Sequence, residues 1–298
     1  MVDRELLRKN LRLAPAQPAT AFWRAIEVHH LLQSGLLPRE GHGLDLGCGD
    51  GRVTKIVRDA ASARWRLVGI DPDPSEVALA EQLDLYESVQ KADGASVHAS
   101  DASFDFVFSN SVLEHIDQLE PTLAEVARVL SPGGQFVFTA PSEFFPENLG
   151  RPNLVGRLAT GTSDPAAYHR QMDTRLAHRR YLSVDQWRAA LGGAGLRLVE
   201  ASFYMSRAET RRWASISNGT AGLLLRVFRR DASPIEIQRR MGLRRSSPPL
   251  LLRGVAWVVG ELGVLGLSDQ RAADDRGSCV LVKAQKVDSW ACSASGCP

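Results

Sequence analysis

Leu44-Asp45-Leu46-Gly47-Cys48-Gly49-Asp50-Gly51-Arg52 is the stretch on which the fold turns. A short apolar strand runs into glycines at a strand-to-helix turn. Glycine serves where the backbone must take positive φ or where a ligand must touch the main chain. A dinucleotide loop needs a third glycine for close helix packing, and that place, three residues after Gly49, is held by Arg52. The carboxylate of Asp45, just ahead of the loop, repels a pyrophosphate and favours a cationic ligand with an amino group. The loop therefore reads as a site for a cationic ligand, against the plainer reading of a tight turn.

Outward from the loop, strands and helices alternate. Gly43 to Leu46 reads as a strand and Gly51 to Ala61 as a helix. Arg66 to Ile70 is a strand and Ser75 to Leu83 a helix. Ser88 to Ala92 is a weak strand, and Phe104 to Ser109 a strong one. The helix Glu120 to Leu130 leads through Ser131-Pro132-Gly133-Gly134 to the strand Gln135 to Ala140. Upstream, residues 20 to 37 read as an amphipathic helix capped by Thr20 and stopped before Pro38. Residues 142 to 182 are polar and interrupted by Pro and Gly. Ser183 to Ala194 (helix), Leu196 to Phe203 (strand) and Cys279 to Ala284 (strand) resume the rhythm. This alternation predicts an α/β fold, a doubly wound, mostly parallel sheet with helices on both faces. Val68-Gly69-Ile70-Asp71 ends the second strand in a carboxylate, 24 residues after Gly47. Such an acid can accept both ribose hydroxyls of a nucleotide or, taken alone, cap the next helix.

Composition narrows the function without naming it. Across 298 residues, 44% are hydrophobic and 23% charged, as in an ordinary globular protein, and the net charge of +2 does not by itself point to nucleic acid. The start, Met1-Val2-Asp3-Arg4-Glu5, carries no secretory apolar run, which gives the expectation of a cytoplasmic protein. Four cysteines, of which only Cys292 and Cys297 share a region, give neither a disulfide framework nor a four-ligand zinc site.

LDLGCGDG, the acid in GID, and FDFVFSNSVLEHI followed by RVLSPGGQFVFTAPS resemble the class I, Rossmann-like S-adenosylmethionine-dependent methyltransferases of the small-molecule type. The resemblance covers residues 20 to 203 and the closing strand. It implies a seven-stranded sheet whose last strand is antiparallel, with S-adenosylmethionine as cofactor. Gly47 and Gly49 would then lie under the methionine part, Asp45 near its amino group and Asp71 on the ribose. The acid that reaches the adenine amino group, twelve residues before Asp105, would be Asp93. Cys48, Pro72, Gly94 and Asn110 complete the implied cofactor set. The family's usual Leu-Pro-Phe after that acid is here Val97-His98-Ala99, which predicts a looser adenine-side loop.

Methyl transfer from a sulfonium asks the protein to align a nucleophile, exclude water and take up a proton where there is one. Ser109-Asn110-Ser111 ends the fourth strand at the edge where such sheets hold ligands. It matches neither fourth-strand signature of base-methylating enzymes, Asp-Pro-Pro-Tyr or Pro-Cys, so a nucleic-acid partner is not expected. His115 and His169 are the candidate catalytic residues, each a general base or a substrate contact, with a helix-packing histidine as the plain alternative for His115. Tyr168, His178 and Tyr181 are further substrate contacts. No ligand set for a metal stands out, so none is expected.

Between the sixth and last strands lies a long insert. From Arg207 to Arg245 it has ten arginines, no lysine and three acids, a net of +7. The run Pro249 to Leu267 is then apolar, with only Arg253 and Glu261 charged. The expected organisation is a methyltransferase domain, 1–204 plus 276–287, a helical cap at 205–275 inserted before the last strand, and a disordered tail at 288–298. The cap reads either as a buried helical lid with a solvated basic face or as a peripheral contact with an anionic membrane. The leading function is methylation of an oxygen or nitrogen on a small or lipid-linked acceptor. A catalytically silent subunit that binds the cofactor or a partner is the alternative, and an NAD(P) oxidoreductase is disfavoured by Arg52 and Asp45.

Overall fold

The computed structural model describes residues 3–13, 17–222, 254, 257, 258, 261 and 275–287. Two helices come first, α1 (Arg4–Leu13) and α2 (Pro18–Ser34). Then follow β1 (Glu40–Leu46), α3 (Arg52–Ala61), β2 (Arg64–Asp71), α4 (Pro74–Ala80), β3 (Ser88–Lys91), β4 (Phe104–Asn110), α5 (Leu119–Val129) and β5 (Leu130–Pro141). Three helices, α6 (Phe145–Leu149), α7 (Leu154–Thr160) and α8 (Pro165–Leu176), precede α9 (Val184–Gly193) and β6 (Leu196–Tyr204). After these come α10 (Arg207–Ser217), a π-helical turn Asn218–Gly222, and β7 (Cys279–Lys286).

All seven strands form one sheet in the order β3-β2-β1-β4-β5-β7-β6. β1 runs parallel to both β2 and β4, while β5 and β7 are antiparallel. This is the expected α/β architecture with its antiparallel last strand. From β1 the chain winds outward to β3, then returns to place β4 on the other side of β1. The strand order therefore reverses between β1 and β4, and their carboxyl ends, Leu46 and Asn110, flank the crevice where such folds bind ligands. The central strands are apolar on both faces because helices cover both: Phe106, Val107, Phe108, Phe136, Val137 and Phe138 are almost fully buried.

The chain divides into two compact units. One, the sheet unit, comprises 31–143, 179–202 and 279–298; the other, the helical unit, comprises 1–30, 144–178 and 203–278. The helical unit thus draws in α1, most of α2 and α6 to α8, in addition to the start of the expected cap. Its core holds Trp23, Phe145 and Trp213, with ring centroids 5.1 to 5.9 Å apart. The buried Glu27 carboxylate accepts from Tyr204 Oη at 2.9 Å and pairs with Arg24.

Several boundaries differ from the sequence reading. Thr20 does not cap α2, which already begins at Pro18. β5 starts at Leu130 and absorbs the Ser131–Gly134 turn, with a register irregularity opposite Phe104 and Phe106. Residues 142 to 182 hold three helices. Their start signals are local: Asn153 caps α7 by accepting from Gly156 N at 2.8 Å, and Asp164 caps α8, whose first residue is Pro165. The expected cap opens with α10, held by a capping box of Ser206 and Glu209. Its residues 223–253, most of the apolar run and the tail 288–298 lie outside the described residues.

Candidate functional site

The glycine loop is stitched to the neighbouring strand by main-chain bonds. Gly47 N and Cys48 N both donate to Ile70 O, each at 2.9 Å. Gly47, Gly49 and Gly51 all take positive φ, +73°, +54° and +73°. Two of the three face the chain's own side chains. A Cβ on Gly47 would stand 2.5 Å from a methyl of Val112, and one on Gly51 2.8 Å from the Tyr86 ring. A Cβ on Gly49 would meet nothing within 4 Å, so Gly49 is where the loop opens.

Asp71 sits at the end of β2 and ties two turns together. Its Oδ2 accepts from Gly49 N at 2.9 Å and its Oδ1 from Asp73 N at 2.9 Å. The helix cap after it is Asp73, which accepts from Ser75 N at 2.8 Å, so Asp71 is not the cap of α4. Pro72 is exposed between the two acids.

Asp45 lies beneath the loop at 1% exposure. Its partners are hydroxyls: Tyr86 Oη donates at 2.6 Å and Thr54 also hydrogen-bonds it. No cation pairs with it among the described residues. Burial pushes its carboxyl up to about 6, with Asp71 adding to the shift and the two hydroxyls opposing it. Burial likewise raises the Cys48 thiol, reinforced by Asp45 and Asp71, so Cys48 stands as a buried neutral side chain. Tyr86 was not legible in the sequence because nothing in the link between α4 and β3 marks it.

On the adenine-side loop, Asp93 is exposed and accepts from Ala95 N at 3.0 Å. A Cβ on Gly94 would stand 2.9 Å from Thr122 Cγ2 and 3.0 Å from Leu46 Cδ1, which makes Gly94 a close-packing position. The loop that follows is tied to α5. α5 clamps it: Glu125 Oε1 accepts from Val97 N at 2.7 Å, and Arg128 donates to Val97 O (3.1 Å), Ala99 O (2.9 Å) and Asp101 Oδ1 (2.6 Å). The Arg128 hydrogen bond holds the Glu125 carboxyl below its ordinary range.

At the end of β4, Asn110 is 9% exposed. Ser109 Oγ donates to Leu46 O at 3.0 Å, and Ser111 N donates to Thr139 Oγ1 at 3.0 Å, which locks this end between β1 and β5. His115 sits on a turn that precedes α5 rather than on a helix. Its Nε2 lies 3.7 Å from Glu114 Oε1. Two arginines after the α8 region hold the turn: Arg179 Nε donates to His115 O at 3.0 Å, and Arg180 donates to Leu113 O at 2.8 Å. His169 belongs to the helical unit, on α8, with Nε2 2.8 Å from Gly150 O. In that unit Tyr168 is 2% exposed and His178 meets the edge of Phe145 at 5.5 Å. Tyr181, in the sheet unit, is half-buried.

The residues fit a cationic nucleotide-like cofactor. The open position at Gly49, a buried carboxylate bonded among the described residues to hydroxyls, and an acid at the end of β2 lie around one loop. Residues 44–138 match a family model described as a methyltransferase domain. The chain is 35% identical over 95 residues to a malonyl-[acyl-carrier protein] O-methyltransferase of Hahella chejuensis, covering 32% of this chain and 34% of that one. It is 32% identical over 133 residues to a ubiquinone biosynthesis O-methyltransferase of Aromatoleum aromaticum, covering 41% and 54%. The chain thus spans about a third to a half of the length of these curated relatives. A solved structure from Galdieria sulphuraria, described as a sarcosine dimethylglycine methyltransferase, shares the fold with a TM-score of 0.50 at 20% identity. It covers 89% of this chain and 84% of its own.

Proposed function

Residues 44–138 make this chain a member of the class I S-adenosylmethionine-dependent methyltransferases, and from that premise we propose that it methylates an oxygen or nitrogen of a small or lipid-linked acceptor. The observation that carries the reading is Asp45, a buried carboxylate whose partners are hydroxyls, under a loop that opens at Gly49. A fixed negative charge in a low-dielectric pocket favours a sulfonium with an ammonium group and disfavours the pyrophosphate of NAD(P).

S-adenosylmethionine supplies a methyl group on sulfur with a leaving group already activated. The chain supplies the rest. Asp45 would face the amino group. Gly47, Cys48 and Gly49 would offer main chain to the methionine part, Asp71 and Pro72 would border the ribose, Asp93 and Gly94 would border the adenine, and Asn110 would close the strand edge. These residues would hold the cofactor in one orientation, the positional advantage on which such a transfer depends. His115 is the candidate base in the sheet unit, and His169 the candidate acceptor contact in the helical unit.

The acceptor class takes support from the relatives. Their names specify O-methylation of malonyl-[acyl-carrier protein] and O-methylation in ubiquinone biosynthesis. Both agree with an oxygen nucleophile on a carrier-linked or lipid-like acceptor. The basic segment Arg207 to Arg245 would bring the chain to an anionic lipid surface. Among the described residues no helix is long and apolar enough to cross a membrane. The silent-subunit alternative is weakened by the presence of all five positions, Asp45, Gly47, Gly49, Asp71 and Asp93. Titration calorimetry with S-adenosylmethionine, S-adenosylhomocysteine and NADH tests the cofactor assignment; binding of NADH alone would overturn it. Mass spectrometry of metabolite and lipid extracts incubated with enzyme and labelled S-adenosylmethionine identifies the acceptor. Cofactor binding with no methylated product in any extract would favour the silent subunit.

A further inference from the structure

In the helical unit the half-buried Arg175 meets no acid among the described residues. Arg175, in the last turn of α8, donates from Nη1 to Asn218 Oδ1 at 3.0 Å and from Nη2 to Ser217 Oγ at 3.1 Å, and Nη2 also meets Met172 Sδ at 2.8 Å. All three partners are neutral. No carboxylate pairs with Arg175 among the described residues, and its Nε is buried without an acceptor. Burial lowers the guanidinium from its ordinary value. A cation desolvated against neutral groups is unfavourable until an anion joins it.

A second donor points the same way. Tyr168 is 2% exposed, and its Oη accepts from Asn218 Nδ2 at 2.9 Å. The orientation of that amide is not free. A guanidinium only donates, so the Asn218 atom facing Arg175 must be the oxygen, and the one facing Tyr168 must be the nitrogen. The Tyr168 hydroxyl is thereby held as an acceptor, and its own proton finds no acceptor among the described residues. One cluster thus carries two donors in search of an acceptor, one of them cationic.

The backbone is shaped around this cluster. Asn218 opens the π-helical turn Asn218–Gly222, a form that recurs at functional sites. A Cβ on Gly222 would stand 2.6 Å from Arg175 Nη1, so glycine leaves the guanidinium its room. We propose that Arg175 and Tyr168 form a binding site for an anionic group, a carboxylate or a phosphate, within the helical unit. An anionic oxygen provides the missing charge and both missing acceptors through charge-assisted bonds. This site stands beside the methyl-transfer reading and does not rest on it.

The test uses the full chain and two variants, Arg175→Met and Tyr168→Phe. Thermal unfolding is followed in inorganic phosphate, in acetate and in chloride at one pH and one ionic strength. Titration calorimetry gives the anion affinity, and S-adenosylmethionine affinity is measured alongside. Phosphate or acetate is expected to raise the unfolding temperature of the native chain above its value in chloride; which of the two does so identifies the anion class. Arg175→Met should lose that rise. In chloride it should unfold no earlier than the native chain, because a charge desolvated against neutral partners is gone. Tyr168→Phe keeps the ring and should weaken anion binding by about tenfold, the scale of one hydrogen bond to a charged group. S-adenosylmethionine affinity should not change in either variant, so failure here and failure of the cofactor assignment are read separately. Absence of any anion-dependent rise in the native chain overturns the proposal, and so does an equal rise in Arg175→Met. Should Arg175→Met not fold, unchanged anion affinity in Tyr168→Phe overturns it as well.

Discussion

Gly47 and Gly49 share positive φ and differ in what lies beyond them. An alanine at either position pays the left-handed backbone penalty of about 1 kcal/mol. At Gly47 the added methyl also meets Val112 at 2.5 Å, so Gly47→Ala is expected to destabilise the fold itself. At Gly49 the methyl enters open space, so Gly49→Ala should fold with little further loss yet bind S-adenosylmethionine much more weakly. Thermal unfolding and titration calorimetry on both variants separate the two effects; a Gly49→Ala chain with native affinity would remove Gly49 from the cofactor site. Asp45 makes a pH prediction. Its carboxyl stands at about 6 in the fold against an ordinary 3.8. The folded state therefore holds the proton more tightly than the unfolded one, and stability falls as pH rises from about 4 to 6, by at most about 3 kcal/mol. A cationic cofactor binds the ionised form, so its affinity should climb through pH 6 and level off above it. Tyr86→Phe removes a hydrogen bond that lowers the Asp45 value, so the midpoint should move to higher pH. Affinity measured from pH 5 to 8 decides this, and a flat profile in both proteins would break the link between Asp45 and the cofactor.

Elements differ in how much of them the sequence betrays. β1, β2, β4 and β5 are legible because buried strands read as apolar runs and the glycine loop marks the turn after β1. The helices α6 to α8 were missed because prolines and glycines between residues 142 and 182 were read as interruptions. Two of these positions are start and stop signals instead, Asp164-Pro165 opening α8 and Gly161 closing α7. The Asp71 carboxylate was legible as a strand-end acid, while its bonds to Gly49 N and Asp73 N were not. Asp71→Ala should therefore weaken cofactor binding by at least the roughly 1.5–3 kcal/mol of a charged hydrogen bond, because it also releases the loop. Unchanged affinity in a folded variant would remove Asp71 from the site. Arg128 acts on a whole segment, and its three acceptors, Val97, Ala99 and Asp101, are about thirty positions away in sequence. No local pattern announces such a clamp. Arg128→Met should let residues 97 to 101 open, and amide exchange at Val97 should quicken by about tenfold for each 1.4 kcal/mol lost. Native exchange rates there would show that Val97-His98-Ala99 holds its shape unaided.

Charge is unevenly spread over the whole molecule. The chain is nearly neutral at +2, yet Arg207 to Arg245 alone carries +7, so the remainder is net acidic. Such segregation does little for folding, since like charges close in sequence repel, and it suits a surface of opposite sign. An anionic membrane is that surface in the reading proposed for the acceptor. Each basic residue near an anionic leaflet contributes about 1 kcal/mol, which gives an upper bound of ~7 kcal/mol before screening. Arg207 already pairs with Glu147 at 2.6 Å, so it is not wholly available, and the usable total is smaller. Even three or four arginines should float the chain on anionic liposomes at low salt, with the effect fading as salt shortens the screening length to a few ångström. Arg239, Arg240, Arg244 and Arg245, which lie outside the described residues, form the densest cluster of this segment. Their replacement by glutamine should reduce flotation while S-adenosylmethionine affinity, which the proposed function assigns to the loop at residues 45 to 49, stays as it was. Flotation on neutral and anionic liposomes at low and high salt supplies the measurement. A native chain that stays unbound in every condition would leave the arginines a solvated face, and the lipid surface would drop out of the proposed function.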